Sequence, residues 1–176
     1  MYFNELLNHA WYTKRENGYE QAQEYFKNLL SYPYVRISEC FGNKYFGNSA
    51  TAFNIIFKAF ETVIISIMKC DSDFSQGEYD AYIKFANYCN QKYYSADEIR
   101  NMSINNDQLV KAINVLKSYR FSISSEHYEE MVLAFCYLAL LGDNAFDENE
   151  YYIIRCFLDD EYDICPSDWQ SFKRTW

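Results

Sequence analysis

One acidic turn occurs twice in this chain, with every shared residue displaced by the same 72 positions. The copies are CDSDFSQGEY, from Cys70 to Tyr79, and GDNAFDENEY, from Gly142 to Tyr151. In each, an Asp is followed three residues on by Phe, then by an oxygen-bearing side chain, then by a closing Glu-Tyr. An apolar segment precedes each turn. Before the first, Phe53, Ile56, Phe57, Phe60, Val63, Ile64 and Ile67 recur at steps of three and four, the period of one helix face. Before the second, nearly every residue from Met131 to Leu141 is apolar, the pattern of a helix buried on most sides. A unit of apolar helix, acidic turn and amphipathic helix therefore recurs near 51–90 and 125–160. Such a repeat predicts an all-α bundle in which two αα-hairpins, related by approximate symmetry, pack face to face.

The remaining segments fit that class. Tyr19, Ala22, Phe26, Leu29 and Leu30 form a stripe that follows an Asn17-Gly18 start; Leu109, Ala112, Ile113 and Leu116 form another. Ser95-Ala-Asp-Glu98 reads as a further helix start. PYVRISECFGNKYFGN, residues 33–48, shows no clear helical period and is expected to be a loop. About eight helices result, with no linker or shift of composition between them. Residues 1–48 are expected to form an N-terminal helical extension packed on a domain of residues 49–176, in one compact unit. A length of 176 residues suits a single core, and 20% aromatic residues can fill it. With 5 Gly and 2 Pro, the chain lacks the turn residues of a many-stranded β protein.

Within the repeated turn, Ser75-x-x-Glu78 and Asp147-x-x-Glu150 have the spacing of capping boxes. The cap side chain accepts from the first turn of the helix while the Glu reaches back to the cap's own amide. Phe74 with Tyr79, and Phe146 with Tyr151, are placed to staple across each helix start. Asp71 and Asp143 are left without such a role. Each follows the C-terminal end of an apolar helix, where the macrodipole disfavours a negative charge. Either they accept backbone amides in a tight turn, or they join Asp73, Glu78, Asp147 and Glu150 as hard oxygen ligands for a divalent cation, Ca²⁺ or Mg²⁺. Neither copy is an EF-hand loop: Gly77 falls one place late, and Tyr82 and Ile154 stand where the bidentate Glu belongs.

KCDSDFSQGEYDAYIKFA and LLGDNAFDENEYYIIRCF resemble the repeated motif of TerB-like proteins, the tellurite-resistance family: an apolar helix, Ala-Asp-Gly, then a helix-starting acid and a Glu. Asp71 and Asp143 match the motif Asp, and Glu78 and Glu150 the motif Glu. Ser72 and Asn144 replace the motif Gly, and Cys70 and Gly142 replace the Ala before the Asp. The resemblance covers about residues 50–175, including YDICPSDWQSF, which is similar to the family's closing turn and helix. It implies a compact all-helical module of bacterial stress systems, acidic and able to bind metal, that works with membrane or nucleotide-handling partners and is not an established catalyst.

A formal charge of −9 argues against nucleic acid as partner, since phosphate binding needs clustered Lys and Arg. The N-terminus has no basic, then apolar, leader pattern, and Lys58 and Glu61 interrupt the most apolar run, so a cytoplasmic protein without membrane insertion is expected. Cys40, Cys70, Cys89, Cys136, Cys156 and Cys165 have no C-x-x-C spacing and read as reduced thiols. His9 and His127 stand in unrelated contexts and read as surface residues; no phosphate loop or dinucleotide fingerprint occurs. The acidic run Asp159 to Asp163 reads as a solvated helix end or a patch for a basic partner. Together with the resemblance, these features lead to the expectation of a non-enzymatic, TerB-like binding or adaptor module with a protein partner and at most weak cation binding at the turns. The alternatives are a helical partner-binding domain without an ion, and a metal-dependent hydrolase that uses the paired carboxylates.

Overall fold

The computed structural model describes residues 3–70, 73–142 and 147–158, with backbone alone for 3–8 and 11–15. Among the described residues there are seven helices and no strand, so the all-α expectation holds. They are α1 (Phe3–Tyr45), α2 (Ser49–Met68), α3 (Gln76–Tyr88), α4 (Ala96–Asn101), α5 (Asn106–Lys117), α6 (Ser125–Leu140) and α7 (Glu148–Arg155).

The first helix corrects the sequence reading. Residues 33–45, expected as loop, continue α1, with Pro33 inside it. A proline there removes one backbone hydrogen bond and crowds the preceding turn, at about 3 kcal/mol or more. The loss is offset because Phe26, Leu30, Tyr34 and Ile37 fall on one helical face and are all buried. The Asn17-Gly18 start is real: Gly18 has φ 81° and ψ 178°, and breaks α1 there. That left-handed φ favours a residue without Cβ.

α1 packs against α2, α3 and α6. Along α6 the partners run in opposite order, Tyr25 against Tyr137 (ring centroids 5.7 Å) and Tyr32 against His127 (4.0 Å), so the two helices are antiparallel. α2 also touches α5, α6 and α7, and α3 touches α6. Phe85 of α3 is the centre of the core: the rings of Phe26, Tyr34, Phe57 and Phe60 lie 5.8 to 6.2 Å from it. α1 thus shares one core cluster with the helices of both repeated units.

α2 is long and apolar enough to cross a membrane, but most of it is buried among the other helices. Its Glu61 is buried too. One carboxylate oxygen meets Lys58 Nζ at 3.0 Å, and the other accepts from the Tyr82 hydroxyl at 2.6 Å. The Tyr82 oxygen in turn accepts from the Tyr94 amide at 2.9 Å, so the residue that interrupts the apolar run is satisfied inside the protein. The thiols of Cys40, Cys89 and Cys136 are free, the last two buried.

Candidate site at the paired acidic turns

The first turn is built as its sequence predicts. Ser75 caps α3: its Oγ accepts from the Glu78 amide at 3.1 Å, and the Glu78 carboxylate accepts from the Ser75 amide at 2.7 Å. Phe74 and Tyr79 form the staple, with ring centroids 5.9 Å apart. The second turn repeats the chemistry. Asp147 accepts from the Asn149 amide at 2.7 Å, while Glu150 accepts from the Asp147 amide at 2.8 Å. Glu78 and Glu150 are both only 1% exposed, although a glutamate at such a position on an isolated helix would face water.

The burial of Glu78 follows from how the first turn meets the end of α6. The Ser75 hydroxyl donates to the carbonyl of Leu141, the last residue before the second turn, at 3.0 Å. A Cβ on Gly142 would stand 3.4 Å from a Glu78 carboxylate oxygen, and one on Gly77 would stand 3.1 Å from the Leu141 carbonyl. Glycine at both positions therefore allows the start of α3 to sit directly on the end of α6. α1 braces the same place: buried Gln23 donates from Nε2 to the Gly77 carbonyl at 3.0 Å.

Asp73 takes a different part. It is exposed, accepts from the Phe74 amide at 3.0 Å, and pairs with Arg100 Nε at 3.2 Å. Arg100 also reaches Asp97 at 3.1 Å and lies 5.0 Å from the centre of the Phe74 ring. The bond to Asp73 raises the guanidinium pKa further, so the positive charge beside this turn is permanent. Lys69 Nζ donates to the carbonyls of Ile99 (2.8 Å) and Met102, tying the end of α2 to the end of α4.

Of the six sequence-predicted ligands, Glu78 and Glu150 are buried helix-start residues, Asp147 is a cap, and Asp73 is an ion-pair partner; Asp71 and Asp143 lie outside the described residues, as does Phe146. Among the described residues no three His, Cys, Asp or Glu side chains gather as a metal-holding group. The acidic run 159–163, Cys165 and the closing segment also lie outside. His9 is exposed, whereas His127 is half-buried, stacked on Tyr32 and 2.7 Å from a Glu130 oxygen. Sequence reasoning missed Arg100 and Gln23, whose roles depend on contacts across the fold. No family model, curated protein or solved structure matches the chain.

Proposed function

We propose that the protein is a non-enzymatic, TerB-like binding module in which two hairpins, α2–α3 and α6–α7, are related by an approximate two-fold and meet at their acidic turns. The observation that carries this reading is the contact of the two turns: the Ser75–Leu141 hydrogen bond and the Glu78 carboxylate against Gly142. A joint built from a capped helix start and a buried glutamate, Ser75 and Glu78 against the end of α6, supports a module that holds a shape for a partner. An adaptor in a stress-response system, binding another protein, follows from the resemblance together with this rigid joint.

A weak site for Ca²⁺ or Mg²⁺ at these turns, drawing on Asp71 and Asp143 outside the described residues, belongs to the same proposal. Its weakness follows from chemistry: Ca²⁺ collects six to eight oxygens, and Glu78, Glu150 and Asp147 already spend oxygens on helix amides. The reading without any ion is favoured by one observation, the Arg100 guanidinium that pairs with Asp73 and supplies the positive charge a cation would bring.

Thermal unfolding at rising Ca²⁺ or Mg²⁺, at fixed ionic strength, tests the two against each other. A cation bound only by the native state stabilises by about 1.4 kcal/mol at tenfold excess over Kd. The expected result is a rise in Tm only at millimolar cation, lost in Asp143→Asn, a change that removes the charge and keeps a side-chain oxygen able to accept. No rise at about 10 mM would remove the ion and leave the joint as structure alone. A rise at micromolar cation would overturn the weak-site reading and reopen metal-dependent hydrolysis.

A further inference from the structure

A groove of about 480 Å³ lies between α2, α5 and residues 102–104, and falls within the size range of small-molecule sites. Buried Ala59 of α2 and Ala112 of α5 line it as a floor of small side chains, which larger ones would narrow. Ile65, Met102, Ile104 and Val115 make the walls apolar. Three charged residues line it, Lys58, Glu61 and Lys111. The Glu61 carboxylate is consumed internally, by Lys58 and by the Tyr82 hydroxyl. Lys58 is held by that carboxylate and over the Tyr94 ring at 5.2 Å. Lys111 makes no ion pair among the described residues, so the groove carries a net positive charge on a chain whose formal charge is −9.

We propose that this groove binds a small amphiphilic anion, an apolar chain or ring bearing one carboxylate, with the apolar part on the Ala59–Ala112 floor and the carboxylate on Lys111. An apolar body is required by the walls, since a fully polar ligand would leave them wet. A negative head is required by the charge: a cationic head would meet Lys111 with no unspent acid to receive it, and a neutral head would forgo a charge-assisted hydrogen bond.

The test uses the full chain and three ten-carbon probes below their micellar concentrations: decanoate, decanol and decyltrimethylammonium, compared by calorimetry and thermal shift. Decanoate is expected to bind at least tenfold more tightly than either other probe. Lys111→Gln should bring decanoate down to the affinity of decanol, and Ala112→Met should weaken both by filling the floor. Lys44→Gln, a charge removed from the exposed end of α1, should change neither. Equal affinities for decanoate and decanol in the wild type would overturn the proposal. So would decanoate binding that survives both groove substitutions. Tighter binding of an apolar tetrapeptide through its terminal carboxylate would replace the small amphiphile with a protein C-terminus.

Discussion

Ser75 Oγ does two things at once: it accepts from the amide that starts α3 and donates to the carbonyl that ends α6. Ser95 makes the same cap on α4, with its Oγ 3.2 Å from the Glu98 amide, but its site is exposed and no second helix is involved. The pair is a natural control. Removal of an N-cap side chain costs about 0.5–2 kcal/mol. Ser95→Ala should fall near the lower end, because water can replace the lost acceptor. Ser75→Ala should cost about 1 kcal/mol more, because the Leu141 carbonyl also loses its donor at the joint. Chemical denaturation of both variants measures the difference. Equal losses would mean that the bond from the first turn to the end of α6 contributes nothing to stability, and would weaken the joint as the basis of the functional reading.

At the scale of elements, α2 is fastened to α3 and to the segment before α4 through a polar chain inside an apolar core. Glu61, Tyr82 and the Tyr94 amide form it, and Lys58 closes its outer end. Tyr82→Phe keeps the ring in place and deletes only the hydroxyl, which leaves a buried carboxylate oxygen and a backbone amide without their partner. The expected loss is about 2–3 kcal/mol, and Glu61→Gln in the same background should recover part of it by removing the buried charge. A Tyr82→Phe variant as stable as wild type would mean that water reaches this chain. The helix starts were legible in the sequence because a cap is local: Ser75 with Glu78, Ser95 with Glu98 and Asp147 with Glu150 each lie within one turn. The polar chain was not, because Glu61 and Tyr82 are far apart in sequence and only packing shows that one satisfies the other. The helix through Pro33 was hidden for the same reason. Its local signal is unfavourable, and the burial of Tyr34 and Ile37 against other helices overrides it. At the site, the turns were legible as a repeat, but their contact was not, since nothing local in Ser75 or Leu141 names the other.

Over the whole molecule, burial has gathered protons that the unfolded chain would release in alkali. Burial pushes the Cys89 and Cys136 thiols well above their ordinary value of 9.0, and the Tyr34, Tyr79, Tyr82 and Tyr119 hydroxyls above 10.0, with the Glu61 hydrogen bond adding to the effect at Tyr82. Raised pKa values mean that the native state holds these protons when the unfolded state has lost them. Their contribution to stability is therefore complete below the unfolded values and declines as pH rises past them, by about 1.4 kcal/mol per pH unit for each group fully protected in the fold. The thiols act first. Tm should hold nearly level up to about pH 9 and begin to fall there, before the phenols join near pH 10. Above that point lysines also lose charge and add self-repulsion to a chain already at −9, so the window between 9 and 10 is the informative one. Replacing both Cys89 and Cys136 with Ala lowers Tm at every pH through the lost volume. The decisive reading is the slope: the double variant should stay level through the window in which the wild type declines. Parallel profiles for the two proteins would show that these thiols are not the proton sinks their burial makes them.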